Sequence, residues 1–283
     1  MPQPELKTVE LKDTHIQYLH YKGKGSTIIL LHATGFLPWL WHPIAKQLNQ
    51  DHSFNIIAPY FCDHRDVDPE KGGLRWVTLA QDLNDLCVQL NIRSPHLIGH
   101  SMGAVVATLS HTIFHQEAQS MILIEPIFLP DPVYEQTITL EEHPLAGKSI
   151  RRRNFWENLE EAKIYLRSKA LFKNWDEEML SMYIQYGLMP KSEGGFELTC
   201  SPKKEAALFM GGMHHNPWPL LKNIQCPTLV LEGAESENRP FIDLKKATRM
   251  IPQGKYQLVD KAGHLIPMEF PAKCLELFYS MLL

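Results

Sequence analysis

One serine in this chain sits where a hydroxyl could become a nucleophile: Ser101, in Gly99-His100-Ser101-Met102-Gly103. Five-residue G-x-S-x-G matches arise by chance, so the flanks decide their meaning. Here an apolar run, His96-Leu97-Ile98, leads in, and small apolar residues, Ala104-Val105-Val106-Ala107, lead out. That order predicts a buried strand, a sharp turn and a buried helix, the setting in which such a serine is thrust out at a helix N-terminus. Gly99 and Gly103 let neighbouring backbone approach closely. The helix N-terminus favours developing negative charge. The competing reading is a tight turn with an incidental serine.

A serine hydroxyl needs a base. Of the 14 histidines, His264 is the best placed. It follows Ala262-Gly263, between the last predicted strand and the C-terminal helix. His100, beside the serine, is expected on the pocket wall or in the core. His214 and His215 are expected to be structural or pocket-lining. An oxyanion formed at a carbonyl carbon needs two N–H donors. Met102, next after the serine, should supply one. The small loop His32-Ala33-Thr34-Gly35-Phe36 can approach a ligand with its backbone, and Thr34 is the candidate for the other.

These residues must be positioned by a frame. Val9 to Lys22 reads as an edge hairpin, Thr27 to Leu31 and Phe54 to Ala58 as buried strands, and Trp41 to Leu48 as a helix. Leu79, Leu83, Leu86 and Leu90 recur at helical spacing over Thr78 to Leu90, with Thr78 as N-cap. Met121 to Ile124 is the next strand. Alternating strands and helices predict an α/β fold with a mostly parallel sheet and helices on both faces. From Leu129 to about Leu220 the pattern turns helical, with amphipathic stretches at Glu157 to Phe172 and Asp176 to Tyr186 and no convincing buried strand. Alternation resumes with a strand at Thr228 to Leu231, a helix at Phe241 to Met250, a strand at Tyr256 to Val259 and a helix from Pro267 to Leu282. The expected division is a core of residues 1–128 and 221–283 and a helical insertion of 129–220.

Leu31-His32-Ala33-Thr34-Gly35-Phe36, Gly99-His100-Ser101-Met102-Gly103 and Ala262-Gly263-His264 together resemble three landmarks of the α/β-hydrolase superfamily, in family order. The resemblance runs from about Lys12 to the C-terminus and implies a helical cap after the sixth strand. Ala33 stands where the commoner loop has glycine. The variant resembles a branch of capped serine esterases with a His-Ala-Asn-Gly-Phe-like loop. The family implies ester hydrolysis most often and no cofactor. Its acid usually stands three residues past the glycine that ends the seventh strand. Counting from Gly233, that position is Ser236, which is no acid. Glu235 or Glu237 could reach in from either side. Glu125, which ends the strand Met121 to Ile124 and lies 24 residues past Ser101, is preferred, because a carboxylate ending a buried strand needs a partner. A loop-bracing role for Glu125 is the alternative.

The activity expected is acyl transfer on a small carboxylic ester through an acyl-enzyme. A thioesterase, a carbon–carbon bond hydrolase and a non-catalytic binder of the same fold are the alternatives. Aromatic residues follow the oxyanion loop and populate the insertion; Phe36, His100 and Trp218 are the expected substrate contacts. The expected partner is a small ester-like molecule. A formal net charge of −4 offers no basic excess for nucleic acid or an anionic membrane. Arg151, Arg152 and Arg153, the densest basic cluster, read as a solvated helix face. Five cysteines without C-x-x-C spacing predict free thiols in a reducing compartment, with the cytoplasm as the default location. The polar stretch Met1 to Glu10 carries no secretory pattern, and no metal-ligand spacing stands out.

Overall fold

The computed structural model describes residues 3–283; Met1 and Pro2, at the head of the polar N-terminal stretch, lie outside them. The chain runs β1 (Glu5–Glu10), β2 (His15–Tyr21), β3 (Thr27–Leu31), α1 (His42–His52), β4 (Asn55–Pro59), α2 (Trp76–Gln89), β5 (His96–His100), α3 (Met102–Ile113) and β6 (Ser120–Ile124). Between β6 and β9 (Thr228–Gly233) lie α4 (Ala146–Ser149), α5 (Leu159–Arg167), α6 (Glu177–Tyr186), β7 (Leu188–Pro190), β8 (Phe196–Leu198) and α7 (Pro202–Gly211). It closes with α8 (Leu244–Met250), β10 (Gly254–Val259), α9 (Ile266–Glu269) and α10 (Pro271–Leu282).

Eight strands form one sheet in the order β1-β2-β4-β3-β5-β6-β9-β10. Only the β1–β2 and β2–β4 pairings are antiparallel; the rest are parallel. The apolar runs read as central strands are buried on both faces, as parallel strands must be. Ile29 and Leu31 of β3 pack with Leu83 of α2 and Val105 of α3; Ile28 and Leu30 pack with Ile44 of α1 and Phe278 of α10. Alternate residues therefore fill two separate cores, and each fully buried Ile or Leu stabilises by about 1.5–3 kcal/mol.

Two local expectations change. Helix α2 starts at Trp76, so Thr78 lies inside its first turn rather than at its N-cap. Tertiary bonds set that start: Leu74 N–H donates to the Ala207 carbonyl (2.8 Å) and the Trp76 indole N–H to that of Leu208 (2.8 Å). The stretch between β6 and β9 also contains a small antiparallel pair, β7–β8, where no strand was expected. Its turn is made by Gly194 and Gly195, both at positive φ, and neither strand has the buried apolar run that marks a central strand.

The frame brings β5, β6 and β9 to a common edge. Register pairs His100 with Ile124 and Ile124 with Leu231, so the segments after these strands leave the sheet side by side. Helix α3 packs down so closely that a Cβ on Gly103 would collide with the Leu31 carbonyl and come within 2.8 Å of that of His32. Gly103→Ala should therefore destabilise the fold by at least about 1–3 kcal/mol, through backbone that cannot yield. Urea denaturation checks this, and a wild-type midpoint would refute the close-approach argument.

Candidate active site

Ser101 follows β5 at φ 56°, ψ −116°, a conformation that side-chain-bearing residues rarely hold. Its N–H is bonded to the Ile124 carbonyl (2.9 Å), and its hydroxyl is turned out at the start of α3. Glu125 also has positive φ (49°), with its N–H bonded to the Leu231 carbonyl (2.8 Å). Such backbone costs on the order of 1–3 kcal/mol per residue and persists only where the surroundings enforce it. Here the last rungs of the sheet do so.

The structure brings Ser101, His264 and Glu125 together. Ser101 Oγ lies 3.1 Å from His264 Nε2, and His264 Nδ1 lies 3.0 Å from Glu125 Oε2. Glu125 is 1% exposed. Its carboxylate is held by the Gly233 N–H, which donates to Oε1 (2.6 Å), and by the Ser236 hydroxyl, which donates to Oε2 (2.7 Å). Charge-assisted bonds of this kind offset the desolvation of the carboxylate. Glu235 and Glu237 point to solvent.

Ser236 was visible in the sequence only as a missing acid; here its hydroxyl donates to the Glu125 carboxylate. Asn238 was not foreseen. Its side-chain Nδ2 lies 2.9 Å from His264 Nδ1, and its N–H donates to Ser236 Oγ (3.3 Å). With the Nδ1 proton directed at Glu125, the amide oxygen is the end that can face the ring.

Met102 opens α3, so its N–H has no intrahelical carbonyl to meet. The loop carrying Thr34 is closed by the Phe36 N–H donating to the Ala33 carbonyl (3.2 Å). Among the described residues the Thr34 N–H has no hydrogen-bond partner. His32 braces this loop: its Nδ1–H donates to the Ala33 carbonyl (2.8 Å), and Nε2 accepts from the Phe61 N–H (2.9 Å).

The three expected substrate contacts fare differently. Phe36 belongs to the loop of residues 32–36 but is buried edge-on against Trp175 and Tyr183 of the segment between β6 and β9, with centroids at 5.4 and 6.0 Å. His100 is fully buried, and its Nε2–H donates to the His264 carbonyl (2.9 Å). It is a core residue that holds the loop carrying His264 rather than a pocket wall. Trp218 is a correction: its indole N–H donates to the Leu129 carbonyl (2.6 Å), and the ring packs on Phe128 and Lys246. Its contacts belong to the frame, because the turn that carries it packs against α3 and α8.

The arginine cluster is corrected too. Arg153 pairs with Glu161, and Arg151 is exposed, but Arg152 turns inward and donates to Glu205 Oε2 (2.7 Å). His214 donates to the Gly72 carbonyl (2.8 Å), a structural role. Among the described residues no cluster of three or more His, Cys, Asp or Glu could hold a metal ion. Nor is any helix long and apolar enough to cross a membrane. All five cysteines are buried and unpaired.

A model of the alpha/beta hydrolase family matches residues 28–277. An uncharacterised protein of Mycobacterium tuberculosis is 29% identical over 102 residues, covering 36% of this chain and 29% of that protein, so the shared part is under a third of the relative's length. The pimeloyl-[acyl-carrier protein] methyl ester esterase of Pseudoalteromonas atlantica is 26% identical over 153 residues, covering 54% of this chain and 49% of that one. Among solved structures, an E-2-(acetamidomethylene)succinate hydrolase superposes with a TM-score of 0.82 at 17% identity, over 98% of both chains. At that identity the likeness is one of fold.

Burial holds His100 neutral, pushing its pKa down to about 3, with His264 nearby adding to the effect; burial likewise brings His32 to about 4. Unfolded, both would titrate near 6.5. The unfolded chain therefore binds more protons below that pH. Stability should be flat above about pH 6.5 and fall on acidification, by about 1.4 kcal/mol per pH unit for each histidine. Chemical denaturation from pH 7.5 to 4.5 should show that slope, and His100→Gln should shallow it. An unchanged slope would mean that His100 is not buried neutral.

Proposed function

This chain belongs to the alpha/beta hydrolase family, and we propose that it is a serine hydrolase cleaving a small carboxylic ester through an acyl-enzyme intermediate. One observation carries the reading. An unbroken file of hydrogen-bonding contacts runs from Ser101 Oγ through both ring nitrogens of His264 to a buried, otherwise satisfied carboxylate. An imidazole that donates its Nδ1–H to Glu125 leaves Nε2 free to take the serine proton, which is the arrangement that nucleophilic acyl transfer requires.

In this reading Ser101 Oγ attacks the carbonyl carbon while its proton passes to His264 Nε2. Glu125 stabilises the resulting imidazolium. The oxyanion is held by the Met102 and Thr34 amides. Collapse breaks the ester bond, and His264 Nε2 returns the proton to the leaving alkoxide. Water then attacks the acyl carbon, again losing its proton to His264, and the carboxylic acid departs as Ser101 is regenerated.

Residues 129–220 serve as a cap. Support comes from the contacts of Trp175 and Tyr183 with Phe36 in the oxyanion loop, from the face-to-face stack of Tyr186 on Trp39 at 3.6 Å, and from the low exposure of Ser101, 7%. Such a roof suits a small substrate. The esterase resemblance of the Pseudoalteromonas relative points the same way. Five buried thiols without a disulfide suit a reducing, cytoplasmic setting.

Labelling with a fluorophosphonate probe followed by peptide mapping should mark Ser101 in the native chain and nothing in Ser101→Ala. Ester turnover should fall by about 10⁴-fold or more in that variant, and by about 10²- to 10⁴-fold in Glu125→Gln, with the fold retained. Substantial ester hydrolysis by Ser101→Ala would end the assignment. Testing esters beside thioesters and vinylogous diketones fixes the bond cleaved.

A further inference from the structure

Beside the oxyanion loop sits a partly buried ion pair that the acyl-transfer machinery does not use. Arg152 donates from Nη1 to Glu205 Oε2 (2.7 Å), and the Tyr183 hydroxyl lies beside the same guanidinium. Both neighbours touch the loop that carries Thr34. Glu205 lies over Gly35 so closely that a Cβ there would come within 2.8 Å of its carboxyl carbon. Tyr183 meets Phe36 edge-on. Through Glu205 and Tyr183, Arg152 is linked to residues 35 and 36, which follow the candidate oxyanion donor Thr34.

The three side chains differ in what they leave open. Tyr183 as a residue is 2% exposed, and the Glu205 side chain 11%, but the Arg152 side chain keeps 22%. A guanidinium carries five N–H donors. Glu205 takes one and Tyr183 stands at another. None of the Arg152 nitrogens is among the buried polar atoms lacking a partner, so the donors still unbonded are accessible rather than sealed. Desolvation works against the charge of Arg152, and Tyr183 and Glu205 more than offset it, so the group stays a cation. Its charge is already matched by Glu205. A second carboxylate placed against Arg152 would have to sit beside the first, in a poorly hydrated place where like charges repel strongly. An uncharged oxygen acceptor meets the same donors without that repulsion.

From this we infer that Arg152, neutralised by Glu205, selects substrates whose acyl chain carries a second, uncharged oxo group, such as a ketone or a further ester carbonyl, and rejects those carrying a carboxylate. The inference rests on the acyl-transfer reading above and adds the substrate class. Arg152 is then a specificity-determining residue. Glu205 is a positioning residue that acts through it, setting which charge the pocket tolerates.

The test uses para-nitrophenyl esters of three acyl groups of one length: a plain alkanoate, the chain ending in a methyl ketone, and the chain ending in a carboxylate. The native chain should take the ketone ester with a kcat/KM about tenfold above the alkanoate, and the carboxylate ester least well. Glu205→Gln keeps the shape but uncovers the arginine charge, and should raise the carboxylate-to-ketone ratio by about tenfold or more. In Glu205→Gln combined with Arg152→Gln, the ketone-to-alkanoate ratio should fall to within about twofold of unity, since the charged donor is gone. Each readout is a ratio within one variant, so a partial loss of folded protein cancels. Equal kcat/KM for all three esters in the native chain, a native preference for the carboxylate ester, or ratios unmoved by Glu205→Gln would overturn the inference. If the fluorophosphonate probe still labels Ser101, the acyl-transfer reading survives that result. An unlabelled Ser101 with no ester turned over would overturn both.

Discussion

A carboxylate with 1% of its surface exposed, at the end of a central strand, is the constraint around which this site is organised. Isolated in such a place, the Glu125 anion would be costly to bury. It is tolerated because two other segments supply donors: the end of β9 with the loop that follows it, through Gly233 and Ser236, and the loop after β10, through His264. Satisfying one charge therefore fixes the relative positions of three loops and the direction of the imidazole. The positive φ of Glu125 belongs to the same constraint, because the strand must break sharply for its side chain to turn toward β9.

The loop of residues 32–36 is tied down by different forces. His32 bridges the Ala33 carbonyl and the Phe61 amide, while Phe36 is gripped by aromatic rings from the segment between β6 and β9. The first is a polar anchor within the sheet domain, the second an apolar anchor to the insertion. The loop is thus held from both sides. The insertion also touches the frame through the Lys46–Glu178 pair and the Asp176 N–H bonded to the Met268 carbonyl.

Much of this was legible in the sequence, and the reasons are local. Strands β3, β5, β6 and β9 are short apolar runs, and Gly99 and Gly103 declare a tight turn through the absence of side chains. The serine and the histidine could be named because each lies on a loop directly after a strand. What was hidden depends on contacts between distant segments. Ser236 reads as a vacancy until the Glu125 carboxylate is seen against its hydroxyl, and Asn238 carries no signal at all. Trp218 looked like a pocket residue because aromatic side chains read alike whether they face a ligand or a core. Arg152 looked solvated because its partner, Glu205, lies 53 residues away. The start of α2 at Trp76, two residues before Thr78, is likewise set by bonds to α7 that no local propensity encodes.

The pairing of His100 with Ile124 has one more implication. Ser101 and Glu125 are the next residues along two neighbouring strands, so hydroxyl and carboxylate ride on one rung of the ladder and shift together. The imidazole alone arrives on a separate loop, held by the His100 ring and by the Glu269 carboxylate at Gly263. Thermal excursions should then separate the base from the other two long before they separate those two from each other. Any loss of alignment would then begin at the loop of residues 260–266, the one partner not carried by the sheet.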